Sequence, residues 1–274
     1  MAWTEITRRQ HDRRSLRYAS DCTDAEWALV APFMPAPSKV GRPRTTDLRE
    51  VWNAIQYRAA TGCQWALLPK DFPPFTTVQH YFYRLRDSGV LDILNEALTM
   101  AARLIAGRAP EPTAGIIDSQ SVKTSESGGP RGYDAGKKIK GRKRHIVTDT
   151  QGNLLAGIVH DAGVQDRDGA PALIASACDS FPTLVHIFAD GGYAGEKLRD
   201  ALQKADGPVI EIVRRPDGVT GFVVIARRWV VERTLAWFGR CRCLAKDWEA
   251  SIASSEAWLL IASIRRTTRF IARA

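Results

Sequence analysis

Three acidic residues, Asp118, Asp190 and Glu232, each stand in an element suited to present a carboxylate. Asp118 follows Ile116 and Ile117 in residues 115–124, GIIDSQSVKT, where a β-branched apolar strand gives way to Ser-Gln-Ser and a lysine. Asp190 stands where an apolar strand, residues 184–188, passes into the glycine-rich turn ADGGYAG that opens a helix. Glu232 lies on a helix running from Arg227 to about Cys241, one turn after Arg228. If the strand of Asp190 lies beside that of Asp118, the two carboxylates face each other, and a helix packed on that sheet can turn Glu232 toward the same point. Three carboxylates with no cation between them repel strongly. Hard divalent cations relieve this, and Mg²⁺ keeps places for water and phosphate oxygens. Two such ions roughly 3.5–4 Å apart clamp the attacking and leaving oxygens of an in-line phosphoryl displacement. The set therefore points to a nuclease or phosphoryl-transfer site. Taken singly, Asp118 has a plainer reading as a turn cap and Glu232 as a surface acid paired with Arg228.

The charge of the chain agrees with a phosphate-bearing partner. Lys and Arg number 39 against 30 Asp and Glu, a formal net charge of +9. Such an excess suggests a polyanion, nucleic acid first and an anionic membrane surface second. Residues 125–143 read as a flexible, glycine-rich cationic loop. In and beside it lie Arg131, Lys137, Lys138, Lys140, Arg142, Lys143 and Arg144, against only Glu126 and Asp134, and Lys123 precedes it. Such a loop neutralises phosphates and releases their counterions; the alternative is a solvated charged loop. Residues 1–20 are polar and Arg-rich, without the apolar stretch of a secretion signal. The apolar run 257–262 is far shorter than the roughly 20 residues that span a bilayer. A soluble cytoplasmic protein is expected, with no membrane partner. The five cysteines, Cys22, Cys63, Cys178, Cys241 and Cys243, form no CxxC pair and no spacing suited to zinc, and read as reduced thiols.

The elements that must position the acids divide into two blocks after a loose basic start, residues 1–20. Residues 21–112 read as a small all-α domain. Within it, residues 40–45, VGRPRT, carry Arg42 and Arg44 around a Gly-Arg-Pro core. This is either a minor-groove hook or a proline-stiffened basic linker. A helix capped by Thr46 or Asp47 sets Leu48, Val51, Trp52, Ile55 and Ala59 on one face and closes at Gly62. A second helix, residues 77–87, turns Val78, Tyr81, Phe82 and Leu85 inward and His80, Tyr83, Arg84 and Arg86 outward. It is compatible with the reading helix of a helix-turn-helix-like module, or is an ordinary basic helix. A third helix spans 90–106, and the prolines of 107–112 mark a boundary. Residues 113–274 read as an α/β domain in the order β-β-β-α-β-α-β-α. Its strands are that of Asp118, then 145–149, 154–160, 184–188 and 208–213, with a short extended piece at 221–225. Its helices are 166–179, 196–204, 227–241 and about 249–271.

These residues resemble bacterial insertion-sequence transposases of the DDE superfamily, in particular the IS-five type, nearly end to end. The likeness rests on IDSQSVKT at 117–124, the basic GKKIKGRKRH at 136–145 with IVTD after it, and VQDRDGA at 164–170. It continues in FADGGY at 188–193 and RRWVVERT at 227–234, with WALLPKDFPP at 65–74 resembling that family's helical accessory domain. The resemblance implies a ribonuclease H-like mixed-sheet catalytic core, with Asp118, Asp190 and Glu232 as its catalytic and metal-binding acids. It implies two divalent ions, Mg²⁺ with Mn²⁺ as an alternative. The implied reaction is hydrolysis of a phosphodiester at the element's end, then attack of the freed 3′-OH on target DNA. DNA is the implied partner, as terminal repeats and target, held by a homo-oligomer on paired ends. Related chains often carry Tyr and Lys where Ile225 and Gly239 stand here; Arg240 or Arg242 are the nearest replacements for the lysine. Two rivals use the same residues: a nuclease of this type that cuts without joining, and an inactive sequence-specific repressor.

Overall fold

The computed structural model describes residues 4–37, 41, 43–126, 128–213 and 227–274. Five helices come first: α1 (Glu5–Gln10), α2 (Asp24–Val30), α3 (Leu48–Thr61), α4 (Phe75–Asp87) and α5 (Val90–Ile105). A mixed α/β arrangement follows: β1 (Ala114–Lys123), β2 (Gly132–Asp134), β3 (Ile139–Asp149), β4 (Leu154–Asp161), α6 (Asp166–Ser180), β5 (His186–Ala189), α7 (Glu196–Lys204), β6 (Val209–Ile212), α8 (Arg228–Phe238) and α9 (Ile252–Ile271).

One mixed sheet holds all six strands. Along it run β3, β1, β5 and β6, with β2 and β4 both on the outer edge of β3. β1 is antiparallel to β3, with Asp118 opposite Ile146, and parallel to β5, with Ile116 opposite Phe188. β5 and β6 are also parallel. A parallel neighbour needs a crossover, and α6 and α7 supply the connections into β5 and β6. Successive strand residues face opposite ways, so Ile116 and Phe188 belong to one core and Ile117 and Ile187 to the other. The first core runs without a break from Cys22, Trp52 and Phe82 in the helical part to Val231, Trp258 and Ile264. There Trp258 stacks on Phe82 at 4.6 Å, and the Arg58 guanidinium lies 4.5 Å from the Trp258 ring. The second core lies under α6 and α7.

Helix ends obey the cap chemistry visible in the sequence. Thr23 forms a capping box with Glu26, Asp47 accepts from the Arg49 N–H, and Gly62 closes α3 with φ of 69°. Three expectations need correction. First, the cationic segment 125–143 is not one flexible loop: it holds β2 and the start of β3. Its strand signal is masked because Arg142, Lys143 and Arg144 are buried by ionic and carbonyl partners rather than by being apolar. Second, Asp118 does not end its strand. β3 pairs with β1 as far as Lys123, whereas the register with β5 stops at Ile116, so Asp118 has a strand neighbour on one side only. Third, residues 13–21 are tied down. Arg13 pairs with Glu26 at 2.6 Å, Arg17 with Glu50 at 2.7 Å, and Tyr18 packs on Tyr57 and Phe72. The extended piece at 221–225 lies outside the described residues. No helix among the described residues is long and apolar enough to cross a membrane.

Candidate active site

Strand parity builds the site. Asp118 lies two residues after Ile116 on β1, and Asp190 two after Phe188 on β5, so both continue the rows that face the first core. That is the face on which α8 packs, through Val231, Leu235 and Phe238. Around its start, Arg227 lies 4.1 Å from the Phe188 ring and 3.6 Å from Glu211. Further along, Thr234 Oγ1 donates to the Gly152 carbonyl at 3.1 Å in the β3–β4 turn. Gly152 has φ of 89°, and a Cβ there would stand 2.6 Å from Thr234 Oγ1, so only glycine lets helix and turn approach this closely. Glu232 then falls on the open face of α8, one turn from Arg228.

The three acids meet electrostatically. Asp118 is pushed up to about 6, first by burial and then by the carboxylates of Asp190 and Glu232, with the Ser119 N–H and Lys137 opposing. Its Oδ1 accepts that N–H at 2.7 Å. Asp190 caps its own 3₁₀ turn by accepting from the Gly192 N–H at 2.8 Å. Arg228 is the cation between the other two: its Nη2 lies 3.6 Å from Asp190 Oδ2 and 3.4 Å from Glu232 Oε1. Among the described residues, no three His, Cys, Asp or Glu side chains stand close enough to enclose one ion together. The donor chemistry nonetheless fits a hard divalent cation. The oxygens are carboxylate, Asp118 is pushed toward protonation first by burial and then by its acidic neighbours, and Arg228 already occupies a place where positive charge is favourable.

The sequence-predicted cations separate into distinct groups. Lys137, Lys138 and Lys140 are exposed on and beside the β2–β3 turn, and Lys123 is exposed at the end of β1. Lys137 reaches back to the Ser119 carbonyl at 3.2 Å. Arg142, Lys143 and Arg144 require correction as phosphate contacts, being 0%, 4% and 2% exposed. Arg142 donates to the carbonyls of Pro130, Glu249 and Ala250 and to Asp247 and Ser255. Lys143 binds Asp166 and the Val164 carbonyl, each at 2.7 Å, and Arg144 donates to the Leu244 and Lys246 carbonyls. Their side chains point into the fold, and all but the buried Arg144 Nε among the guanidinium nitrogens donate there. Arg84 is exposed on α4, and Arg44 is exposed with its guanidinium on the Pro35 carbonyl. Among the described residues no hydrogen bond or ion pair joins either to the acids. Arg42 and Ile225 lie outside the described residues. Arg240 and Arg242 are exposed just beyond α8.

Sequence reasoning missed a second set of residues at the same end of the sheet. Asp166, the first residue of α6, accepts from Ser119 Oγ at 2.8 Å and from Lys143, and these donors hold its carboxyl low against the effect of burial. Tyr193 is buried, and burial with the charges of Asp118, Asp166 and Asp190 raises its phenol well above the usual range. A 400 Å³ cleft adjoins them, lined by Tyr133, Lys137, Lys143, Gln165, Asp166 and Gly192 among others. The available signal lay in VQDRDGA and in the tyrosine of ADGGY, motifs in which Asp190 has an expected site role but Asp166 and Tyr193 have none.

A family described as "Transposase DDE domain" matches residues 109–265, more than half of the sequence, and the chain belongs to it. The description "Putative transposase of IS4/5 family" matches residues 22–95. The chain is similar to the "Putative transposase for insertion sequence element IS402" of Burkholderia cepacia, at 34% identity over 140 residues, covering 47% of this chain and 62% of that protein. It is also similar to the "Uncharacterized protein y4sN" of Sinorhizobium fredii (strain NBRC 101917 / NGR234), at 31% identity over 80 residues, covering 29% of this chain and 62% of that protein. The chain thus spans 62% of the length of each of these curated relatives. No solved structure matches.

Proposed function

We propose that this chain is the DNA transposase of an insertion sequence, with Asp118, Asp190 and Glu232 as its catalytic and metal-holding acids. The observation that carries the reading is the convergence of these acids on one face of the mixed sheet, beside β1 and β5, where Asp118 feels both others. The strand order, with β1 antiparallel to β3 and parallel to β5, supports a ribonuclease H-like core. Two divalent ions, Mg²⁺ or Mn²⁺, would supply charge neutralisation at the scissile phosphate and polarise the attacking oxygen.

The chain's own groups have separate tasks. Asp118 and Asp190 offer oxygens from two neighbouring strands, and Glu232 completes the set from α8. Arg228, paired among the described residues with acids at 3.4–3.6 Å, can turn to a phosphate oxygen once those acids are neutralised. Lys123, Lys137, Lys138 and Lys140 bind the DNA backbone beside the site. In the first step water breaks a phosphodiester at the element's end and leaves a 3′-OH. In the second, that 3′-OH attacks a target phosphodiester and displaces the other 3′ oxygen. Residues 21–112 are the helical DNA-binding part, helix-turn-helix-like, with Arg84 on its outer face and Arg42 and Arg44 before it. The chain works in the bacterial cytosol as a homo-oligomer on paired ends.

The test is cleavage of labelled DNA carrying the parent element's ends, with and without Mg²⁺. The wild type should nick at the ends only with metal and yield joined product, while Asp118→Ala, Asp190→Ala and Glu232→Ala bind DNA without cutting it. Cutting without joining would make the chain a nuclease, and equal binding with no cutting by any of the four proteins would make it a DNA-binding repressor.

A further inference from the structure

Behind the three acids, motifs from four elements meet in one buried hydrogen-bonded group. Tyr193 is 1% exposed and His145 is 0% exposed. Tyr193 Oη lies 2.7 Å from His145 Nε2, and His145 is the strand partner of Ser119 in the β1–β3 pairing. Ser119 is the residue after Asp118 and supplies the N–H that Asp118 accepts. Tyr193 belongs to the turn that Asp190 caps, and its N–H donates to the Asp190 carbonyl at 3.2 Å. One hydroxyl therefore ties the Asp190 turn to β3 at the residue that pairs with Ser119.

The direction of the hydrogen bonds follows from the far end of the group. His160 Nδ1 lies 2.9 Å from the Asp161 carbonyl, which can only accept, so Nδ1 carries the proton. With neutral imidazoles, His160 Nε2 then accepts from His145 Nδ1, 3.5 Å away. His145 Nε2 is left as the acceptor for the Tyr193 hydroxyl. Burial, with help from His160, pushes His145 down to about 3, so it stays neutral across the physiological range. The backbone of α6 passes close to this pair. A Cβ at Gly169 would stand 2.8 Å from His160 Nε2 and 3.0 Å from His145 Nδ1, which gives the glycine of VQDRDGA a steric reason.

We propose that Tyr193 is a positioning residue of the three-acid site: its hydroxyl, donated to His145, holds the Asp190 turn against β3 where that strand pairs with the Asp118–Ser119 segment, and so sets the gap between the two aspartates. The proposal rests on reading those aspartates as a divalent-ion site. A partner behind a metal-holding group acts through orientation, and its loss weakens metal affinity about 10–100-fold. Ser119 and Asp166 brace the same segment from the α6 side.

Tyr193→Phe keeps the ring in its buried seat and removes only the hydroxyl. The measurements are Mn²⁺ affinity, from the electron paramagnetic resonance signal of free Mn²⁺, and thermal melting without metal, each on the full chain. Tyr193→Phe should melt close to wild type yet bind Mn²⁺ about tenfold more weakly. His145→Phe should weaken binding equally, and the double variant should be no worse than either single one, because both break the same bond. His145→Gln, whose amide oxygen can accept from Tyr193, should keep most of the affinity and provides the readout should either Phe variant fail to fold. Unchanged Mn²⁺ affinity in Tyr193→Phe, or a loss in His145→Gln as large as in His145→Phe, overturns the proposal. A wild type whose Mn²⁺ binding does not depend on Asp118 overturns the metal reading and this proposal together. Wild-type Mn²⁺ binding without DNA cleavage counts against the transposase reading alone, and the Tyr193 comparison still decides the positioning claim.

Discussion

Two carboxylates on this sheet, Asp149 at the end of β3 and Asp118 in the middle of β1, are treated in opposite ways. Asp149 accepts from Arg103 at 2.7 Å, from the N–H groups of Gln151 and Asn153, and from the Asn153 amide. Among the described residues, Asp118 accepts a backbone N–H and otherwise faces Asp190 and Glu232, with Lys137 as an opposing charge. The first charge is compensated by the chain itself, which is how a structural carboxylate is buried. The second is left short of partners, as befits a group meant to meet something the chain does not carry.

The largest expected effect lies on the compensated side. Arg103→Ala strands Asp149 as a fully buried charge and should cost about 3–5 kcal/mol in unfolding free energy, read by denaturant titration. A loss below about 1 kcal/mol would show that Asp149 is not held by that pair.

Asp118→Asn should act with the opposite sign. The folded carboxyl titrates near 6 and the unfolded one near 3.8, so the folded state binds more protons between those values. The native ionised form is therefore disfavoured, and wild-type stability falls as pH rises through this window. The variant should be more stable than wild type by about 2–3 kcal/mol above pH 7 without metal, and equal to it below pH 4. A destabilised Asp118→Asn at pH 7.5 would erase the contrast with Asp149.

The next effect sharpens the contrast from the side of a buried base. His145 is depressed from 6.5 to about 3 in the fold, so the unfolded chain takes up its proton first on acidification. Its contribution is complete above pH 6.5 and is lost as pH falls toward 3. About 2 kcal/mol should go between pH 7 and pH 5, and His145→Gln should flatten that slope. The smallest effect on stability belongs to the exposed turn. Lys138→Ala and Lys140→Ala should each change folding by no more than about 0.5 kcal/mol. On DNA, each should reduce the slope of log affinity against log salt by about 1.

The same contrast explains how much of the molecule was legible in the sequence. Apolar alternation located β1, β4 and β5, and cap residues located α3, because those signals are local. The placing of Asp118 and Asp190 on strands that could be neighbours was enough to anticipate that they face each other, while the parity of Ile116 with Asp118 and of Phe188 with Asp190 emerged only with the β1–β5 register. The cationic run 137–144 was misread as one loop because a buried Arg142 and an exposed Lys138 look alike until their partners are known. Those partners, Asp247, Ser255 and the Ala250 carbonyl, come more than a hundred residues later. Tyr193, His145 and Gly169 stayed without roles for the same reason, since each acquires meaning only when β1, β3, α6 and the Asp190 turn are brought together.

The central claim is that Asp118, Asp190 and Glu232 form one site completed by divalent ions. Its most direct test is the rise in melting temperature that Mn²⁺ gives to the wild type, set beside Asp118→Asn, Asp190→Asn and Glu232→Gln. Mn²⁺ should stabilise the wild type clearly, because a ligand that binds only the folded state raises its stability, and each variant should lose most of that gain. Equal stabilisation of all four proteins, or of none, would contradict the claim.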